Sequence, residues 1–145
     1  AASPGSTPSA SPFGAASPKR RVRLLLVEDH TDTATVLARM LGRSGYDVLH
    51  AGSVSEALAI AEREVQGAGL HLVISDLGLP DGSGLDMMRE LAGRYGLRGV
   101  ALSGYGMEGD REQSAAAGFA RHLTKPVNVT VLRATLAELV AESKF

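Results

Sequence analysis

Five side chains of complementary chemistry stand at the ends of four short runs, three of them mostly apolar. Glu28-Asp29 closes Leu24 to Val27, Asp76 closes Leu72 to Ser75, Ser103 closes Val100 to Leu102, and Lys125 follows Phe119 to Thr124. Each has an ordinary reading alone: Asp29 as a helix cap, Asp76 as a cap or turn residue, Ser103 as a turn residue, Lys125 as a solvated cation. Together they make a different group. Crowded carboxylates raise each other's pKa unless a cation intervenes. Carboxylate oxygens suit a hard divalent ion such as magnesium, with waters completing the octahedron, and the lysine brings a second positive charge. Such a group suits phosphoryl transfer. A carboxylate can attack as nucleophile and form an aspartyl-phosphate. Metal and lysine then stabilise charge on the transferring oxygens, and a hydroxyl binds one of them. Asp76 is the nucleophile candidate, because the run it closes lies between the acidic pair and the Ser103/Lys125 side in a parallel sheet of these runs.

The elements that must position these residues follow from alternating hydrophobic periods. Val22–Val27 is a mostly apolar run of the kind found in a strand covered on both faces. Thr31–Ser44 turns helical, with Val36, Leu37, Met40 and Leu41 recurring on one face and Gly45 as a stop. Tyr46–His50 reads as a second strand. Ser53-Val54-Ser55-Glu56 has capping-box spacing, which predicts a helix from there to about Gln66, ended by Gly67 and Gly69. Leu70–Ser75 is a third strand, and Leu85, Met88 and Leu91 mark a third helix. Gly99–Leu102 is a fourth strand, Glu108–Ala117 a short helix and Phe119–Thr124 a fifth strand. Asn128 caps a last helix carrying Val131, Leu132, Thr135, Leu136, Leu139 and Val140 on one face. Alternation of this kind predicts an α/β fold: a flavodoxin-like, doubly wound, five-stranded parallel sheet of order 2-1-3-4-5 with five helices. In that order the strands ending in Glu28-Asp29, Asp76, Ser103 and Lys125 are neighbours, and all five groups converge on one edge.

Composition narrows the function classes. The chain has 145 residues, enough for one domain, and a formal charge of -1, which gives no broad attraction to nucleic acid or an anionic membrane. It has no cysteine, so disulfides, thiolate catalysis and Cys-based zinc sites are excluded. No apolar run approaches the length of a membrane span. Residues 1–20 are expected to be a disordered Ala/Ser/Pro-rich linker, 21–142 the folded domain and 143–145 a tail. The basic cluster Lys19, Arg20, Arg21 and Arg23 reads as a solvated approach to the first strand.

The motifs "LLLVEDH", "LVISDLGLPDGSG", "ALSGYG" and "LTKP", in this order and spacing, resemble the receiver domain of two-component signalling proteins, the response-regulator family. The resemblance spans about Val22 to Val140. It implies that Asp76 is the phosphoacceptor. It also implies a magnesium site, with manganese as the alternative ion, formed by Glu28, Asp29, Asp76 and the backbone carbonyl of Gly78. Asp29 would bind directly and Glu28 through water. Ser103 would be the switch hydroxyl, and Lys125 the lysine that stabilises the phosphoryl group. The Lys125-Pro126 bond is expected to be cis. Pro80 and Gly84 match the family's loop after the phosphoacceptor, and Asp81 and Ser83 read as ordinary turn or cap residues.

Two positions depart from the usual pattern. Glu28 stands where Asp is frequent. His122 stands where a switch Tyr or Phe is common, which puts an aromatic rotamer switch in doubt. His30, His50 and His71 are assigned no metal.

The implied activity is that of a phosphoacceptor rather than a turnover enzyme. The partner is a histidine kinase or histidine-phosphotransfer domain, and helix 1 helps to dock it. No direct nucleic-acid binding or membrane insertion is expected. Dimerisation is compatible with the sequence, and a cytoplasmic location is implied. The added charge would draw Ser103 and the Gly104-Tyr105-Gly106 loop inward and shift the helix 4–strand 5–helix 5 face. A linker before the domain and a chain ending after helix 5 resemble the C-terminal receiver of a hybrid sensor histidine kinase. The alternatives are a stand-alone receiver, or one trimmed from a response regulator with an output domain. An aspartyl-phosphate hydrolase is disfavoured because Asp76-Leu77-Gly78 lacks a second acid, and a flavin module because the carboxylates would repel its phosphate.

Overall fold

A computed structural model of the chain describes residues 21–104 and 110–143. The expected linker over residues 1–20, Tyr105 and Gly106 of the expected loop, the expected helix start at Glu108 and the final two residues lie outside the described residues.

The elements alternate as expected: β1 (Arg23–Val27), α1 (Thr31–Arg43), β2 (Asp47–Ala51), α2 (Val54–Gln66), β3 (Leu72–Asp76), α3 (Gly84–Tyr95), β4 (Arg98–Ser103), α4 (Asp110–Ala117), β5 (Phe119–Thr124) and α5 (Val129–Glu142). The strands form one parallel sheet in the order β2-β1-β3-β4-β5. Between β3 and α3 a two-residue antiparallel ladder joins Gly78–Leu79 to Gly82–Ser83. Two residues are too few to carry a hydrophobic period, so nothing in the sequence signals this ladder.

Strand alternation divides the core. Leu25, Val27, Val73 and Ala101 pack against Ala57, Ile60 and Ala61 of α2, Met87, Met88 and Leu91 of α3, and Ala117 of α4. Leu24, Leu26, Leu72, Ile74, Val100 and Leu102 pack against Ala34, Leu37 and Leu41 of α1 and Leu132, Leu136 and Leu139 of α5. Burial on both faces explains the near-continuous apolar strands. Two helical positions differ from expectation: Val36 is 53% exposed and Val131 47% exposed. Each residue turns the helix by about 100°. The stripes centred on Leu37 and Leu136 therefore leave Val36 and Val131 at or beyond the rim.

Local signals set the helix ends. Ser53 Oγ accepts from Glu56 N–H at 3.2 Å, but Glu56 Oε1 reaches past Ser53 to Gly52 N–H at 2.6 Å. Asn128 Oδ1 accepts from Val131 N–H at 3.1 Å. Asp81 caps a distant helix: its two oxygens accept from Val54 N–H at 2.7 Å and Ser55 N–H at 3.0 Å, tying the loop after β3 to α2. Those two bonds from the α2 amides hold the Asp81 carboxyl below its ordinary range. Of the basic cluster, Arg21 pairs with Asp47 at 3.0 Å, and Arg23 pairs with Asp47 and Glu64. These two arginines are thus engaged within the fold.

Candidate functional site

The sheet delivers the expected residues to one edge. Val27 is in register with Ser75, so Glu28 and Asp76 lie level as their strands end; Asp76 is opposite Leu102, one residue before Ser103. Backbone bonds continue the ladders past the strand ends. Glu28 N–H donates to Ala51 O at 3.0 Å, Leu77 N–H to Leu102 O at 3.2 Å and Lys125 N–H to Ser103 O at 2.7 Å. Side chains mounted on such a ladder need little further ordering to meet.

Lys125 Nζ is the centre of the cluster. It donates to Asp76 Oδ2 at 2.7 Å and to Glu28 Oε1 at 3.1 Å. The Glu28 side chain is fully buried, and its other oxygen accepts from His30 N–H and from the His30 ring, both at 3.1 Å. Burial acts to raise the Glu28 carboxyl. The His30 N–H, the Lys125 ammonium and the His30 ring together outweigh it and hold the carboxyl below its ordinary value. Burial likewise acts to lower Lys125, but the bond to Asp76, its charge, and Glu28 overcome this and hold the ammonium above its ordinary value. Both groups are therefore charged at neutral pH despite their burial.

Donor atoms of Glu28, Asp29, His30 and Asp76 all lie within 4.8 Å of one another. Carboxylates at that spacing, with Asp29 exposed at the mouth, fit a hard divalent cation. Gly78 lies two residues beyond Asp76, in the short ladder that turns the chain back towards α3. The loop is held close to β3: a Cβ at Gly84 would collide with Asp76 O and lie 3.0 Å from Leu77 Cα. The Lys125-Pro126 bond is cis.

Ser103 is buried on the strand beside Asp76, yet its hydroxyl has a partner that the sequence reading did not foresee. Ser103 Oγ lies 2.6 Å from His122 Nε2, and His122 Nδ1 lies 3.0 Å from Ser114 Oγ in α4. His122, which stands where a switch Tyr or Phe is common, thus bridges Ser103 of β4 to Ser114 of α4. A register shift between Gly99 and Val100 makes the meeting possible. It sets His122 opposite Ala101 and Thr124 opposite Ser103, so His122 and Ser103 share a face of the sheet. His30 is the other residue the sequence reading set aside. Its place directly after Glu28-Asp29 was the available signal.

A family model described as the response regulator receiver domain matches residues 24–137. The Response regulator protein PilR of Pseudomonas aeruginosa is 37% identical over 122 residues, covering 83% of this chain and 26% of that protein. The Virulence sensor protein BvgS of Bordetella pertussis is 30% identical over 151 aligned positions, covering 99% of this chain and 12% of that protein. The chain thus spans about a quarter of one of these relatives and about an eighth of the other. Among solved structures, it is similar to a CheY-like response regulator receiver domain protein from Methanospirillum hungatei JF-1. The TM-score is 0.76 at 27% identity, covering 85% of this chain and 96% of that one.

Proposed function

This chain belongs to the response regulator receiver domain family, and on that premise we propose that it takes a phosphoryl group from a partner phosphohistidine onto Asp76. In the transfer, the N–P bond of the donor breaks and an O–P bond to the Asp76 carboxylate forms. The electron pair returns to the donor imidazole, which takes up a proton. The observation that carries this reading is the Lys125 ammonium on Asp76 Oδ2, at the meeting point of β1, β3 and β5. Lys125 orients the carboxylate and neutralises charge on the incoming oxygens. Glu28, Asp29, Asp76 and the Gly78 carbonyl would hold magnesium, with manganese as the alternative. Bound there, the ion supplies charge neutralisation for the transferring group. Ser103 would then turn towards the phosphoryl oxygens and transmit the change to the α4–β5–α5 face.

The donor would dock along α1. Exposed Val36 lies with Asp32, Leu37, Pro126 and Val127 around a groove of about 430 Å³ whose rim includes Lys125. An exposed valine beside a reactive centre suits an apolar contact from a helical partner. We read the chain as the receiver of a hybrid sensor kinase acting in the cytoplasm. The similarity of nearly the whole of this chain to part of a sensor protein supports this. The length of the native transcript separates that placement from a stand-alone receiver or one joined to an output domain.

Phosphotransfer from candidate kinases and histidine-phosphotransfer proteins, with and without magnesium, tests the central reading. The wild-type chain is expected to label, and Asp76→Asn to lose labelling from both phosphohistidine and a small acyl phosphate. Labelling of Asp76→Asn at the wild-type rate would overturn the assignment.

A further inference from the structure

The direction of the hydrogen bonds through His122 can be read from proton counting. Ser114 is 2% exposed, so its hydroxyl bonds are made within the protein. Its hydroxyl donates to the Arg111 carbonyl at 3.0 Å, one turn back in α4. A serine has a single proton, so Ser114 Oγ can only accept from His122 Nδ1, which lies 3.0 Å away. Nδ1 therefore carries the ring proton. In a neutral imidazole Nε2 is then an acceptor, and the partner 2.6 Å from it, Ser103 Oγ, must be the donor. With the ring neutral, the bonds run in one direction: Ser103 O–H to Nε2, Nδ1–H to Ser114 Oγ, Ser114 O–H to the Arg111 carbonyl.

We infer that His122 is a positioning residue which, fixed as the Nδ1–H tautomer by Ser114, holds the Ser103 hydroxyl proton away from Asp76 until phosphorylation draws it off. This inference rests on the reading of Asp76 as phosphoacceptor and Ser103 as switch hydroxyl. A hydroxyl with one proton cannot donate to Nε2 and to a phosphoryl oxygen at once. Among the described residues no hydrogen bond joins Ser103 Oγ to Asp76, whose Oδ2 is taken by Lys125. When Ser103 turns to the phosphoryl group, Nε2 loses the Ser103 hydroxyl. The disturbance passes through the ring to Ser114 and so to α4. His122 and Ser114 also line a cleft of about 330 Å³ with Arg111, Ala115 and Thr135. The link joins Ser103 in β4 to α4 by directed bonds, without a Tyr or Phe at position 122.

The experiment is a long-range proton–nitrogen correlation spectrum of the histidine-labelled chain at pH about 8, above the ordinary imidazole range. It is recorded with and without beryllofluoride, a tetrahedral phosphoryl mimic. His122 is expected to show the Nδ1–H tautomer in the free protein. Its Nε2 resonance should shift when beryllofluoride is added and Ser103 turns away. An Nε2–H tautomer in the free chain, or an Nε2 resonance unmoved by beryllofluoride in a chain that phosphorylates normally, overturns the inference. Ser114→Ala removes the anchor. It should mix the tautomers and raise phosphorylation by a small acyl phosphate about fivefold, the equilibrium effect of one ordinary hydrogen bond. Wild-type tautomer and wild-type labelling in Ser114→Ala also overturn it. A wild-type chain that takes no phosphoryl group at all overturns the reading of Asp76 and this coupling together, whereas normal labelling with an unmoved His122 overturns the coupling alone.

Discussion

Lys125 decides the electrostatics of the site residue by residue. It is the cation between buried Glu28 and Asp76, 3.1 Å from one carboxylate and 2.7 Å from the other. Replacing it by Met leaves Glu28 buried without its counter-ion. Breaking a buried pair costs about 3–5 kcal/mol; with the lysine partly open to water, a loss of about 2 kcal/mol near neutral pH is expected. The sign of the pH dependence follows from the shifts. Glu28 is held below its ordinary value, so its contribution is present above the ordinary carboxylate range and is lost as pH falls through its lowered folded value. Lys125 is held above its ordinary value, so its contribution is present below the ordinary lysine value and is lost as pH rises through its raised folded value. Urea midpoints of wild type and Lys125→Met should therefore differ most near neutral pH and converge in acid. A gap that persists after the carboxylates are protonated would show that the lysine acts by packing alone.

The elements bring these residues together through close backbone approach. The first turn of α3 presses on the end of β3, and Gly84 is the point of contact. It is buried, its N–H donates to Leu77 O at 2.9 Å, and a Cβ there would strike Asp76 O and crowd Ser75 Oγ at 3.2 Å. Backbone cannot yield as a flexible side chain can. Gly84→Ala is expected to cost about 3 kcal/mol, the upper part of the overpacking range, and to slow labelling of Asp76 by shifting the strand end. Chemical denaturation and phosphorylation rates would check both effects; an unchanged midpoint would mean that the loop relaxes freely. Gly118 plays a related part between α4 and β5. Its φ of +117° suits glycine, and a Cβ would lie 2.7 Å from Ala92 of α3. This sharp turn sends β5 back into the sheet beside β4.

At the scale of the whole molecule, the sheet separates two tasks. α1 and α5 cover one face and α2, α3 and α4 the other, while the reactive edge opens where the strands end. Val36→Asp, on the outer side of α1, should lower phosphotransfer from a phosphohistidine protein about tenfold more than labelling by a small acyl phosphate, the scale of one interface anchor. Equal effects on both donors would place Val36 outside the docking surface. Much of this plan was legible in the sequence. Alternating periods yield the strand and helix order, because a strand covered on both faces must be apolar throughout while its helices need a single stripe. The charged residues that end the apolar runs marked the reactive edge, because a parallel sheet exposes its strand ends together. Tertiary structure decided what periodicity cannot encode. Whether Val36 and Val131 face inward depends on where each stripe is centred against the sheet. Asp81 reaches a helix that begins 27 residues earlier in the chain. His122 meets Ser103 because a one-step register shift in the β4–β5 ladder turns it to that face. Local sequence carries propensities over a few residues, whereas a hydrogen bond across 19 residues depends on how two strands are aligned.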